Sequence, residues 1–305
     1  MDTEREANWN SWAIALHGGA GTISRELPPD REQACRHALK TVLEMGKSRL
    51  EQGASALDVV EAVAMLLEDE PMFNAGHGAV FTSEGTHELE SSIMDGSTLQ
   101  CGATSNLVTV RNPIQLARLV MERTPHILLS GVGAERFADE MNVERVDNDW
   151  FDTPHRRLEY ERFRTRQPLE QEGSTIGVVA RDVEGRLAAA TSTGGMTGKM
   201  PGRIGDTPLP GAGTWADGHC AVSCTGQGEE FIRHAVGHEV SSGMRWGMLP
   251  LYESVEQAVA ALPPAAGGVI AVGGEGPPVA IYSSKGMYRG LADAAGHFEI
   301  AIWED

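Results

Sequence analysis

Apolar residues in this chain follow two patterns. Some form short unbroken runs bounded by glycine and turn residues, the mark of buried strands; others recur every three to four positions, the mark of helices with one buried face. Residues 12–16 (W-A-I-A-L) are a run of the first kind and lead into a glycine loop, His17-Gly18-Gly19-Ala20-Gly21. Residues 30–51 have helical spacing through Ala34, Ala38, Leu39, Val42, Leu43 and Met45, and Gly53 ends that helix. A second helix is predicted over 57–67 with Ser55 as its cap. Glu68-Asp69-Glu70-Pro71 breaks it, before a second glycine loop, Phe73-Asn74-Ala75-Gly76-His77-Gly78. Strands are expected at 88–95 and 101–110, and helices at 113–122 and 127–141.

From 142 to 171 the chain is almost wholly charged or polar and holds Pro154 and Pro168, which predicts an exposed, mobile linker reaching residue 174. The pattern then changes sharply. Residues 175–180 and 187–191 are apolar runs of strand length separated by Asp182-Val183-Glu184-Gly185, a hairpin signal, and a loop rich in Gly and Thr follows. A strand at 219–225, helices at 229–246 and 254–262, and strands at 268–272, 279–283 and 297–303 complete the chain. Strands joined by short turns and helices in consecutive pairs predict helices layered over two stacked, mainly antiparallel sheets.

Composition narrows the function. A chain of 305 residues with 41% apolar content has ample length for a core. A net charge of −18 argues against nucleic-acid partners and anionic membranes, and an acidic small substrate would need a local positive group. The start, Met1-Asp2-Thr3-Glu4-Arg5-Glu6, has neither the basic nor the apolar segment of a secretory signal. Cys35, Cys101, Cys220 and Cys224 form no C-x-x-C pair, so free thiols in a reducing compartment, the cytoplasm, are expected.

Several motifs compete for the chemistry. Gly173-Ser174-Thr175-Ile176-Gly177 has glycines at nucleophile-elbow spacing, but an elbow needs a strand before it and a helix after. His234 and His238 stand four apart on a predicted helix, yet Glu239 follows the second His rather than the first, against the zinc-hydrolase order. His87-Glu88-Leu89-Glu90 reads as strand surface, and the glycine loops lack the ending of a phosphate-binding loop. Thr175 remains, either as an ordinary β-branched strand residue or as a nucleophile. A threonine hydroxyl needs a base, and an N-terminal threonine carries one in its own α-amino group, whose reference pKa lies near ~8. Exposing that amine requires breaking the Ser174–Thr175 bond.

A resemblance over nearly the whole chain decides between these readings. The matching stretches are His17-Gly18-Gly19-Ala20-Gly21, Leu67-Glu68-Asp69, Phe73-Asn74-Ala75-Gly76, Met94-Asp95-Gly96, Thr175 with Gly177, Thr191-Ser192-Thr193-Gly194-Gly195-Met196-Thr197, Pro201-Gly202-Arg203 with Gly205-Asp206, Gly211-Ala212-Gly213, and Ser223-Cys224-Thr225-Gly226 with Gly228-Glu229. In these the sequence resembles the plant-type asparaginase and isoaspartyl peptidase family of N-terminal-nucleophile hydrolases. The resemblance implies an αββα sandwich. It also implies autocleavage at Ser174–Thr175 into subunits 1–174 and 175–305, which together form one folded unit, and a dimer of such pairs. Thr175 would attack the side-chain amide of L-asparagine or the bond of a β-aspartyl dipeptide. Thr193 would orient Thr175, and Arg203 and Asp206 would bind the α-carboxylate and α-ammonium. Thr225 and Gly226 would form the oxyanion hole, Gly228 would approach the substrate closely, and Asn74 would reach the nucleophile from the other subunit. The carbonyls of Leu67, Glu68, Glu70, Phe73, Ala75 and His77 match a loop that binds a sodium ion; no organic cofactor is implied.

Two departures stand out. Ser174 replaces the glycine usual before the nucleophile, and the link from Asp206 to Thr225 is one residue shorter than expected near Asp217-Gly218. Two rival classes remain at this point. One is a glycosylasparaginase-type amidase, which would favour a signal peptide and disulfides. The other is an uncleaved, non-enzymatic binding relative.

Overall fold

Alternation along the central strands builds the molecule. The computed structural model describes residues 11–167 and 175–304; Ser174 and its expected cleavage lie outside them. In β1 (Ala13–Gly21), Ile14 and Leu16 face one way and Ala13 and Ala15 the other, and all four are buried. In β5 (Ile176–Arg181), Ile176, Val178 and Ala180 share the face of Ile14 and Leu16, while Val179 joins Ala13 and Ala15. A strand covered on both sides reads as a continuous apolar run, because neither face meets water. Helices α1 (Pro29–Glu51) and α2 (Ala56–Asp69) cover the first face through Leu39, Leu43, Val59 and Val63. Ser55 caps α2 as expected, its side chain accepting from the Asp58 amide.

The larger sheet has eight strands, in the order β12 (Phe298–Ala301), β11 (Gly286–Asp293), β1, β5, β6 (Leu187–Thr193), β2 (Leu89–Asp95), β3 (Cys101–Leu107) and β4 (Leu128–Ser130). Only the β3–β4 pairing is parallel. The second sheet runs β10 (Val279–Tyr282), β9 (Gly267–Gly273), β8 (Cys220–Gly226) and β7 (Thr214–Ala216). Alanines at 13, 15, 189 and 221 line the space between the sheets with Val179, Ile270 and Val272, and small side chains let the two layers approach closely. α7 (Val236–Arg245) and α8 (Leu251–Ala260) cover the far side of the small sheet through Val240, Val255 and Val259. The result is the expected four-layer αββα sandwich. Among the described residues no helix is long and apolar enough to cross a membrane.

Several expectations are corrected. The glycines after residue 16 are strand, not loop: β1 runs to Gly21, with a register shift between His17 and Gly19. Residues 127–141 are not one helix; β4 precedes α4 (Gly131–Glu140). The helix expected over 229–246 divides into α6 (Gly228–His234) and α7 at Ala235, whose φ is 47°. The amides of Gly237 and His238 there donate to the carbonyls of Ala212 and Gly211, so a loop satisfies donors that a continuous helix would have used. His234 and His238 therefore do not share one helix face, and the ring of His238 packs edge-on against Trp215. β11 was not foreseen, because Arg289 and Gly290 interrupt its apolar pattern.

The largest correction concerns the linker. Over 142–167 the chain is ordered and docked, with a 3-10 turn at Asn148–Phe151 and α5 (Pro154–Arg164), capped by Thr153. Phe151 is buried in a satellite core with Leu89, Leu107 and Val110. Arg156 and Glu159 are buried as a pair, and Tyr160 stacks on Phe81. A few docking side chains anchor a segment whose average polarity suggested none.

Candidate active site

Thr175 stands one residue before β5, on the strand face that looks into the space between the sheets, and is 4% exposed. Its hydroxyl donates to the Thr193 hydroxyl at 3.3 Å, and the Thr193 oxygen also accepts from the Gly195 amide at 2.9 Å. The second position on that face, Gly177, has to be glycine: a Cβ there would meet Ser223 Oγ at 2.0 Å and His17 Nε2 at 2.4 Å. Thr175 is followed by a strand rather than a helix, which excludes the elbow reading.

Beneath Thr175 lies a chain of buried polar groups. His17 Nδ1 donates to the Thr175 carbonyl at 3.1 Å. Burial outweighs that bond and lowers the His17 pKa to about 3, so the ring is neutral and Nε2 accepts, from the Ser223 hydroxyl at 2.9 Å. Thr191 then donates to Ser223 (2.8 Å) and Thr214 to Thr191 (2.6 Å), and Ser92 Oγ lies 2.6 Å from both Thr214 Oγ1 and the Thr207 carbonyl. One neutral histidine thus sets the direction of the Ser223, Thr191 and Thr214 hydroxyl protons.

On the small sheet, β8 ends in Thr225 and Gly226. The Thr225 hydroxyl accepts from the Ala20 amide at 3.1 Å. Gly226 has φ 146°, and a Cβ on it would lie 2.1 Å from the Ala266 carbonyl oxygen, so the backbone crosses here where no side chain fits. A Cβ on Gly228 would lie 2.8 Å from Asp206 Oδ1 and 2.9 Å from Arg203 Nη2. The absence of a side chain at 228 is what brings this cation and this anion to the start of α6.

Asp206 and Arg203 are unlike in their satisfaction. Asp206 Oδ2 is buried and has no hydrogen-bond partner among the described residues. Burial raises the Asp206 pKa to about 7, against the pull of Arg203. The Arg203 fork is engaged by Glu229, Nε at 3.0 Å and Nη2 at 2.9 Å. Asn74 Nδ2 donates to the Gly195 carbonyl at 2.7 Å and its Oδ1 accepts from the Val80 amide at 2.9 Å, which ties the 73–78 loop to the turn after Thr193.

A sequence profile for a family described as asparaginase matches residues 10–302. This chain belongs to the asparaginase family. It is similar to an isoaspartyl peptidase of Salmonella typhimurium, 47% identical over 92% of this chain and 95% of the relative. It is likewise similar to a probable isoaspartyl peptidase/L-asparaginase 2 of Arabidopsis thaliana, 43% identical over 96% and 99% of the two chains. An isoaspartyl peptidase of Escherichia coli is 46% identical over 90% of this chain and 91% of its own length.

This asparaginase-family chain also carries the carbonyl loop. A Cβ on Gly76 would lie 2.3 Å from the Glu68 carbonyl oxygen, and one on Gly78 would lie 2.7 Å from that of Phe73. The loop backbone therefore passes close to these two oxygens, where only glycine fits. Glu68 O accepts from the His77 amide at 2.7 Å, while Leu67 O and Glu70 O receive only long bonds of 3.4 and 3.3 Å. Each carbonyl has a second lone pair, so the oxygen-only set of Leu67, Glu68, Glu70, Phe73, Ala75 and His77 suits a hard cation. Among the described residues no cluster of His, Cys, Asp and Glu side chains could hold a metal.

The chain's sequence left several partners unassigned. Glu90 and Lys199 are both buried, 3.6 Å apart, and Glu90 accepts from the Gly205 amide at 3.0 Å, which anchors the loop carrying Arg203 and Asp206. His87 is also buried, its ring against Phe81, which corrects the expectation of a surface position for 87–90. The one available signal was polar residues inside strand segments, at Glu90, Thr191 and Ser223.

Proposed function

We propose that the protein hydrolyses L-asparagine to L-aspartate and ammonia, and β-aspartyl dipeptides to aspartate and the second amino acid, through an acyl-enzyme on Thr175. The observation that carries this reading is the buried, unpartnered Asp206 Oδ2 beside Arg203, in a loop packed against Gly228, two residues past the strand end that bears Thr225 and Gly226. A substrate ammonium would satisfy that oxygen and a substrate α-carboxylate would take the remaining edge of Arg203.

Chain cleavage comes first. The Thr175 oxygen attacks the Ser174 carbonyl, the peptide C–N bond breaks, and water hydrolyses the resulting ester. The freed α-amine then serves as base. It takes the hydroxyl proton as Thr175 attacks the substrate side-chain carbonyl, and the charge that develops on oxygen meets Thr225 and the Gly226 amide. The leaving nitrogen receives that proton and departs. Water, deprotonated by the same amine, releases aspartate. Thr193 holds the Thr175 hydroxyl in line throughout. A sodium ion on the carbonyls of residues 67–77 would supply charge to those oxygens and stiffen the loop that carries Asn74. Free cysteines at all four positions support a reducing, cytoplasmic compartment. A dimer of cleaved pairs is proposed from family resemblance. Ammonia release from purified protein, with intact mass measured alongside, tests the whole reading: an uncleaved and inert chain would favour the non-enzymatic alternative.

The Asp206 carboxyl supplies a pH test. Below about pH 7 it takes up a proton and loses its attraction for an ammonium group. Inhibition by L-aspartate is expected to weaken as pH falls through 7, by up to about tenfold per pH unit. Succinate, which has no ammonium, should move the opposite way, since it leaves an ionised Asp206 unpaired. Parallel trends for the two inhibitors would show that Asp206 does not face the ammonium.

Ser174 supplies a second. Strain of order 1–3 kcal/mol at the scissile residue would raise the precursor toward its transition state, and glycine reaches strained φ and ψ more readily than serine. Ser174→Gly is expected to speed the appearance of two bands on a denaturing gel. Turnover by the mature enzyme should not change, because residue 174 is then only a released chain end. Equal conversion rates would make Ser174 an innocent replacement.

A further inference from the structure

A pocket of about 150 Å³ opens beside the oxyanion-hole residues. Gly226 and Gln227 line one wall, Asn74 another, and Arg156 and Glu159 of α5 a third; Arg203 and Asp206 do not reach it. It therefore extends from the carbonyl-binding end of the site, away from the α-carboxylate end. Ammonia, a single heavy atom, needs none of this space. The leaving amino acid of a dipeptide does.

We propose that this pocket receives the leaving amino acid of a β-aspartyl dipeptide, and that Arg156 binds that amino acid's α-carboxylate. The inference rests on the activity proposed above. Arg156 is 3% exposed, so its guanidinium acts in a poorly hydrated wall. Nε donates to the Gly78 carbonyl at 2.7 Å and Nη1 to Glu159 Oε2 at 2.8 Å; Nη2 takes part in neither bond. A guanidinium fixed through Nε and Nη1 in a pocket wall, with Nη2 outside both bonds, has a donor left for a carboxylate. Glu159 is the positioning residue. Burial opposes its ionisation, but Arg156 and His155 outweigh burial and bring its pKa to about 2. His155 is itself held by Arg31 at 2.6 and 2.8 Å, which fixes its ring beside Glu159. Glu159 also lines the pocket and is held by the Nη1 side of Arg156, so a substrate carboxylate would meet the Nη2 side.

In hydrolysis the β-aspartyl C–N bond breaks, water adds its hydroxyl to the acyl carbon, and the leaving nitrogen gains the proton. Arg156 takes no part in those transfers and acts only on the carboxylate one carbon from the leaving nitrogen. The test compares β-aspartyl-leucine with β-aspartyl-leucinamide, which share the scissile bond and side chain and differ only in that carboxylate. The wild-type enzyme is expected to favour the free acid at least about tenfold in kcat/KM, chiefly through KM. Arg156→Gln should bring the ratio close to one by weakening the free acid alone, with cleavage into two chains as the check on folding. A wild-type ratio near one would overturn the subsite, and that measurement needs no variant. Equal losses for both substrates in Arg156→Gln would also overturn it, by making Arg156 merely structural. Wild-type protein inert toward both peptides and toward L-asparagine would overturn the activity itself, and the subsite with it.

Discussion

Thr175→Ala is expected to yield a single full-length chain and no ammonia from L-asparagine, with turnover lowered at least about 10⁴-fold. One oxygen is asked to perform two reactions, cleavage of its own chain and attack on the substrate, so its loss removes both. Its surroundings stay in place: Thr193 keeps its bond from the Gly195 amide, and His17 keeps the Thr175 carbonyl, because neither contact uses the Thr175 side chain. The variant should fold, which makes its inactivity chemical. Thr175→Ser retains a hydroxyl and should retain some of both reactions. In the natural protein, one fragment should begin at Thr175 on N-terminal sequencing. Finding only Met1, or Asp2 after methionine removal, after prolonged incubation would sink the mechanism, and so would ammonia release by Thr175→Ala.

Arg203→Lys is expected to lower kcat/KM for L-asparagine by about 30- to 150-fold while chain cleavage continues. The charge survives the change; the planar fork does not. Arg203 presents two nitrogens to Glu229 at 3.0 and 2.9 Å and still has an edge for a carboxylate, whereas one ammonium cannot hold both. Losing a charge-assisted bidentate pair costs about 2–3 kcal/mol, the source of that range. No substrate carboxylate is present when Thr175 attacks Ser174, so cleavage should keep its rate. Near-normal kcat/KM in the lysine variant would refute the clamp; failed cleavage would mean that Arg203 also supports the nucleophile.

The fold was legible where one local cause dominated. The hairpin of β5 and β6 was visible because two apolar runs flank a turn of Asp and Gly. The two-sheet, two-helix-layer arrangement followed from strands joined by short turns and helices in consecutive pairs. Legibility failed where distant contacts decide. α5 is docked by Arg156 and Glu159, which in sequence are two more charges in a polar stretch, and only their mutual pairing permits burial. The α6–α7 break is dictated by carbonyls of Gly211 and Ala212, more than twenty residues away. β11 holds its place by pairing with β1 and β12 on either side, despite an interrupted apolar pattern.

The sequence by itself determined the residue types of the site and their order: a threonine leading a strand, an Arg and Asp in one glycine loop, glycines at 177, 226 and 228. Each is a local steric or chemical requirement, and such requirements are written in single residues. The tertiary structure alone decided what each group is worth. It buried Asp206 with an oxygen unpartnered, gave Arg203 to Glu229, made His17 neutral under Thr175, and set Arg156 in the wall of the pocket. Those properties come from dielectric, exclusion of water and hydrogen-bond partners, which depend on residues far apart in the chain. No spacing rule in one dimension encodes them.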